Sequence, residues 1–335
     1  MAFLTGSKVR AAELLHAVGL LQYLRWRDGN RLTIFNYHRI RPDGDFSSRF
    51  NDGVYGPTAS DFRQQVSWLK RHTRVLGEDE LLAIMKSGEA PSEPCSLITF
   101  DDGYRDNYTL AYPILRDLGA RAMFFIPVDH IDRRQLGWWD LIAYSAKNTT
   151  RSEFVLDGTT YATADRAALI DSMIRRMTSE PAERTACLPA RLAEACGVPC
   201  PAAREQDAEL MTWEQIRELQ RGGMGIGSHT RSHTVLATLS AEKQRSELVE
   251  SKSALEERLG APVRSVAYPV GGPSHFTGET CRLAQDAGYE AAFSFATGTN
   301  PWPVVNRFAI ARIAAPHRIP LFIAKARMPL VFGVR

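Results

Sequence analysis

The chain has 335 residues, 44% hydrophobic and 24% charged, enough for one large domain or two modest ones with a core that needs no disulfide or structural metal. A formal net charge of +3 is too small to argue for nucleic acid as a partner. The five cysteines, Cys95, Cys187, Cys196, Cys200 and Cys281, form no CxxC pair and have no histidine close by. They read as free buried thiols of a reducing compartment rather than as a disulfide framework or a zinc site.

In chain order, apolar residues at 11, 14, 15, 18, 21 and 24 make one helical stripe, interrupted by Glu13, His16 and Gln22 and too short to span a bilayer. Residues 1–31 are therefore expected to form an amphipathic helix whose stripe packs on the core or lies in a membrane interface. Basic residues gather near the start (Lys8, Arg10, Arg25, Arg27, Arg31, Arg39, Arg41), as a solvated face or one turned to anionic lipid. No secretory signal is legible, so the expected location is the cytoplasm, with peripheral contact at the inner membrane face.

Residues 32–37 read as a buried strand ending at His38, and a polar loop spans 41–60. Helix signals return at Ser60-Asp61, with Phe62, Val66 and Leu69 on one face. Apolar runs at 95–100 and 122–126 predict further strands, separated by a helix over 107–118 that Gly119 stops. Residues 138–207, rich in Ala, Arg and Glu, look like a helical insertion within a domain covering 32–335. Strand signals resume at 225–228, 265–268, 291–295 and 308–313, with a helix over 241–259 between Ser240 and Gly260. Such alternation argues for a parallel sheet, open or closed into a barrel.

Two constellations carry chemistry. Thr99-Phe100-Asp101-Asp102-Gly103-Tyr104 ends a predicted strand, where parallel α/β folds place their reactive groups. Adjacent buried carboxylates repel, so they need a cation or a shifted pKa. The second is His229-Thr230-Arg231-Ser232-His233, whose imidazoles share a face if the stretch is helical. One Asp and two His leave open positions on a metal, a catalytic rather than a structural arrangement.

These motifs resemble those of the NodB-like polysaccharide deacetylases, carbohydrate esterase family four. The similarity extends to Tyr37-His38-Arg39, Trp138-Trp139-Asp140, Leu210-Met211-Thr212-Trp213 and Tyr268-Pro269 before Gly271. It implies a distorted (β/α) barrel of about seven regular strands, and removal of an N-acetyl group from an N-acetylglucosamine-type sugar. Carried over, Asp102, His229 and His233 would hold the metal, Zn²⁺ first and Co²⁺ or Ni²⁺ as alternatives, with Asp101 as base. The metal would polarise the acetyl carbonyl and lower the pKa of bound water from about 16 toward 7. The backbone N–H of Val270 would face the oxyanion, with Tyr268 and Tyr104 on the substrate side.

The sequence departs from the family where Ala267 stands in place of an arginine that commonly orients the catalytic Asp. Arg312 or Arg307 is expected to supply that charge. For the acid that serves the leaving amine, His317 (in Ala315-Pro316-His317) and His38 are both candidates. Trp138 and Trp139 could stack on a sugar or anchor the insertion, and His275 reads as a loop histidine. The expected substrate is an N-acetylated saccharide, lipid-linked ones included, in the assembly of a surface polysaccharide. A deformylase on the same scaffold and a non-catalytic carbohydrate-binding protein are the competing functions.

Overall fold

The computed structural model of the chain describes residues 2–20, 31–328 and 331. Its centre is a set of parallel strands: β1 (Arg31–Tyr37), β2 (Cys95–Phe100), β3 (Met123–Ile126), β4 (Gly225–Ser228), β5 (Ser265–Ala267) and β6 (Ala291–Phe293). They lie in the order β6-β5-β4-β3-β2-β1, each neighbour pair parallel. β7 (Asn300–Pro301) is added antiparallel on β1. β1, β2 and β3 are buried from end to end apart from Arg31, which is why they read as unbroken apolar runs instead of alternating ones.

The curled sheet is closed by one irregular segment. Ile310 bridges Phe293 of β6, and β8 (Ile313–Ala314) pairs in parallel with β1. Residues 310–314 thus span the gap between the two edges, and Arg312 is carried into the barrel with 1% of its surface exposed. The architecture is a distorted (β/α) barrel, as the resemblance implied. The predicted strand at 308–313 is reduced to this bridge and two paired residues.

Helices cover the outside, among them Ala59–His72, Ala241–Leu259 and Gly278–Asp286. The helix predicted over 107–118 opens with a π-turn, Asn107–Ala111, before Tyr112–Asp117. The insertion carries the helices Trp138–Asn148, Arg166–Ser179 and Leu188–Cys196, and also an antiparallel hairpin, Glu153–Leu156 with Thr159–Ala162. Phe154, Leu156, Leu169, Met173, Leu188 and Leu192 of the insertion join the same buried cluster as the barrel strands.

Ala2–Ala17 is helical, but its contacts only partly follow the apolar stripe. Ala12 is buried and Leu15 packs on the core, whereas Leu14 and Val18 are 65% exposed. The helix is held to the C-terminal helix Ile319–Arg327 through Glu13 and Arg318, 2.7 Å apart. Leu21, Leu24, Arg25 and Arg27 lie outside the described residues. No helix among the described residues is long and apolar enough to cross a membrane. All five cysteines are free; Cys95 and Cys196 are buried, but Cys281 is half-buried and Cys187 and Cys200 are exposed, which corrects their reading as buried: Cys187 caps the start of the helix Leu188–Cys196 and Cys200 lies in the loop that follows it.

Candidate metal centre and catalytic cavity

The carboxyl ends of the strands face a cavity of about 540 Å³. β2 delivers Asp101 and Asp102, β4 delivers His229 and His233, and β5 delivers Tyr268 and Val270, while His38 follows β1. Asp102, His229 and His233 are buried and could hold one ion together. Asp102 Oδ1 lies 3.6 Å from His229 Nε2 and 3.3 Å from His233 Nε2.

This donor set fits a divalent cation. Asp102 Oδ1 is buried with no hydrogen-bond partner, a costly state for a carboxylate oxygen unless a cation completes it. His229 Nδ1 lies 2.8 Å from the Ala267 carbonyl. That contact puts the proton on Nδ1 and leaves the Nε2 lone pair facing Asp102, the tautomer a metal ligand needs. Burial lowers the pKa of both histidines to about 4, so both are neutral near pH 7.

The two histidines do not share a helix face. The segment after β4 is a loop in which Thr230 and His233 have φ of 63° and 58°, and these left-handed residues turn both rings inward. The loop is held on two sides. Val128 and Asp129 N–H groups donate to the Thr230 and Arg231 carbonyls, and Glu247 accepts from Arg231 N, Ser232 N and Ser232 Oγ. Asp102 and Val270 are also left-handed, with φ of 75° and 59°. Each such residue costs about 1–3 kcal/mol, most for β-branched Thr230 and Val270, and strain of this kind collects at working sites. The Val270 N–H meets no acceptor among the described residues. Gly271 (φ 61°) permits the same turn: a Cβ there would sit 2.7 Å from Phe295 N.

Asp101 is gripped through both oxygens. Arg312 Nη1 donates to Oδ1 at 2.8 Å and Asn36 Nδ2 to Oδ2 at 3.0 Å. Arg312 also donates to Asn36 Oδ1 and, through Nε, to the Ser294 carbonyl. Burial alone would raise the Asp101 pKa, but the Arg312 charge and the nearby His229 and His38 hold it well below the usual carboxylate range. Arg307 is exposed, and the charge beside Asp101 is that of Arg312. Asn36, which no motif marked, sits opposite Thr99 in the β1–β2 register. Only that pairing reveals it.

The other candidates divide. His38 lines the cavity with its ring edge-on to Phe295, and burial lowers its pKa while Asp102 and Asp101 oppose that shift. Its carbonyl accepts from Asn107 Nδ2 at 2.7 Å. Next to it, Arg39 is buried between the Tyr55 and Tyr104 rings and paired with Asp106 and Glu209. His317 does not reach the cavity: it is exposed, with Nδ1 3.5 Å from Arg41 Nη2. The chain turns outward there because the Pro316 carbonyl accepts from Gln65 Nε2 of the helix Ala59–His72. The Tyr268 hydroxyl is spent on the Phe308 carbonyl. His275 is a loop residue, as read from the sequence, and it also lines the cavity.

Tyr104 lies beneath the cavity lining, 1% exposed. Its hydroxyl donates to Asp140 Oδ2 at 2.6 Å and accepts from Trp139 Nε1 at 2.7 Å, and Asp140 Oδ1 accepts the Asn51 N–H. This chain fixes Trp139 against the His233 ring, 4.4 Å between centroids. Of the paired tryptophans, Trp139 is thus the anchor, and Trp138 stays half-buried on the cavity wall.

Burial raises the Asp140 pKa to about 6 against the lowering effects of Arg39 and its own hydrogen bonds. A raised carboxyl pKa favours folding below the unfolded value, and that contribution is lost as pH climbs through about 6. The stability advantage of the parent chain over Asp140→Asn should therefore be larger at pH 5 than at pH 8, by on the order of 1 kcal/mol. Urea unfolding of both proteins at the two pH values measures it. A pH-independent difference would show that Asp140 is ionised throughout.

Comparison with known proteins follows the same geometry. The family model described as polysaccharide deacetylase matches residues 88–292. The Bacillus subtilis (strain 168) protein YxkH is 23% identical over 231 residues, 69% of this chain and 55% of its own. The Staphylococcus aureus poly-β-1,6-N-acetyl-D-glucosamine N-deacetylase (strain MSSA476) is 31% identical over 128 residues, 36% of this chain and 43% of its own. The chain thus spans about half the length of the curated relatives it matches. Among solved structures, the Streptococcus pyogenes deacetylase PplD, in complex with acetate, aligns with a TM-score of 0.60 at 18% identity, covering 90% of this chain and 100% of that one. That likeness is one of fold.

Proposed function

Because the chain belongs to the polysaccharide deacetylase family, we propose that it hydrolyses the N-acetyl group of an N-acetylglucosamine-type sugar within a saccharide, with a divalent metal at Asp102, His229 and His233. The observation that carries this reading is the unpartnered Asp102 oxygen facing two neutral imidazoles beside a carboxylate held ionised by Arg312. A bound ion, Zn²⁺ in the first instance, supplies Lewis acidity toward the acetyl carbonyl and an acidified water.

The chain's own groups do the rest. Asp101 takes the proton of the attacking water, and its grip by Arg312 and Asn36 fixes the direction in which it accepts. The Val270 N–H donates to the oxygen that gains charge. His38 serves the departing amine by passing on the proton that Asp101 took from the water, a role supported by its position on the cavity wall beside Phe295. Arg312 and Tyr104 act through Asp101 and Trp139 and need not touch the sugar.

The finer reading is a saccharide intermediate of surface-polysaccharide assembly, reached in the cytoplasm at the inner membrane face. The name of the Staphylococcus aureus relative supports the polymer class. Exposed Leu14 and Val18 beside Arg10 support the membrane contact.

One assay tests these points together. The purified chain should carry about one divalent ion and release acetate from N-acetylated oligosaccharides. Chelation should abolish release and metal return should restore it. Lipid-linked saccharides in anionic vesicles should be turned over faster than free oligomers; equal rates on both would sink the membrane reading. Bound metal without hydrolysis of any N-acyl sugar would favour the non-catalytic binding protein, and formate release alone the deformylase.

A further inference from the structure

A second cavity of about 510 Å³ lies on the other side of Trp138, between the barrel and the helical insertion. Trp138 lines both cavities. The ring is set edge-on against Trp139, centroids 5.3 Å apart at 87°, and Trp139 is itself pinned by Tyr104. Trp138 is therefore a fixed partition. Its indole N–H finds no protein acceptor among the described residues, whereas that of Trp139 does.

The second cavity has the mixed lining that suits a sugar. Ala190 of the helix Leu188–Cys196 and Leu141 of the helix Trp138–Asn148 form an apolar floor. His130 is 8% exposed and lines this space, where its imidazole offers a hydrogen-bonding group. The His130 ring lies 5.9 Å from that of His233, and Ser232 lines the same cavity, so the space abuts the metal centre directly. At the rim, Asp129 pairs with Arg133 at 3.0 Å and with Arg231 at 3.3 Å, and Glu194 adds a carboxylate.

We propose that this second cavity is a saccharide subsite, holding the sugar next to the one deacetylated, with Trp138 as the platform between them and His130 as a polar partner. The proposal rests on the deacetylase reading for its substrate class, and it gives the insertion a role in selecting oligomers over single sugars. Sugars present a C–H face to an aromatic ring and hydroxyls to buried polar groups, and the two cavities each offer both. A monosaccharide would fill only the first.

The test is binding, separated from turnover by the Asp101→Asn change. Calorimetric titration compares N-acetylglucosamine with its β-1,6-linked and β-1,4-linked tetramers on the metal-loaded full chain. At least one tetramer should bind roughly tenfold tighter than the monosaccharide, the gain expected of one aromatic platform and a hydrogen bond. Adding Ala190→Phe, which fills the cavity, should erase that gain. His130→Ala should weaken tetramer binding about fivefold, and it carries the test should Ala190→Phe not fold, as judged by melting and metal content. Equal affinity for all lengths, or a full gain retained in the folded cavity variants, overturns the subsite. Length-dependent binding without acetate release from the parent chain would instead overturn the deacetylase reading and leave the subsite standing.

Discussion

Replacing Asp101 by Asn is expected to lower kcat for acetate release by about three orders of magnitude while the bound divalent ion stays in place. The two effects separate because Asp101 is not among the three residues that converge as ligands; its Oδ2 lies 3.8 Å from His229 Nε2. The Asn side chain keeps the volume and can still accept from Arg312. It loses the charge that balances the buried guanidinium, which costs up to about 3–5 kcal/mol, and its amide must face the Asn36 amide that now donates to Oδ2, so thermal melting should first show the variant folded. What disappears is the proton acceptor. A carboxyl held well below its usual range by Arg312 is ionised at every working pH, but it is a weak base. It can take a proton only from water that has been acidified, which ties its role to an occupied metal centre. Rapid-quench acetate release with metal content by mass spectrometry reads both quantities. A fall of less than tenfold would remove Asp101 from the proton path.

The barrel was legible because its strands are parallel and buried on both faces. Cys95–Phe100 and Gly225–Ser228 appear with the predicted bounds, as does the helix Ala241–Leu259 between its Ser and Gly caps. The hairpin in the insertion was missed although its signal is present: Asp157-Gly158 is the two-residue turn that favours a hairpin. The helical composition around it overrode that signal.

At the site, residue type and spacing marked Asp102, His229 and His233, but not the means of their convergence. A helix face was the natural expectation for i and i+4, and a loop with two left-handed residues does the work instead. Nothing in a single sequence announces a positive φ at Thr230 or Val270, because both types ordinarily avoid it. Asn36, Glu247 and Asp140 were illegible for another reason. They are common residue types whose partners lie 65, 15 and 36 positions away, so their roles exist only in register. Arg312 could be suspected because Ala267 leaves a charge unfilled. The choice between Arg312 and Arg307 depends on how residues 310–314 close the barrel, with Ile310 on β6 and Ile313 on β1.

That closure makes Arg312→Ala the second large expected effect. The variant should lose about 3–5 kcal/mol of stability, the usual result of removing one partner from a buried pair. Arg312 and Asp101 are 1% and 3% exposed at their side chains, so water cannot replace the guanidinium without opening the barrel. Ser294 O and Asn36 Oδ1 lose their donor in the same step. Activity should fall at least about a hundredfold, and the pH profile distinguishes positioning from mere loosening. Without Arg312, burial becomes the dominant influence on Asp101 and pushes its pKa upward. The acid limb of kcat/KM should then move to higher pH, since the base is protonated over a wider range. Arg312→Lys should restore charge but not the simultaneous reach to Asp101 and Ser294, giving partial recovery of the limb with little recovery of kcat. Arg307→Ala, which removes an exposed side chain, should change neither stability nor profile. An Arg312→Ala enzyme with full activity and an unmoved acid limb would show that Asp101 is held ionised by something other than this guanidinium.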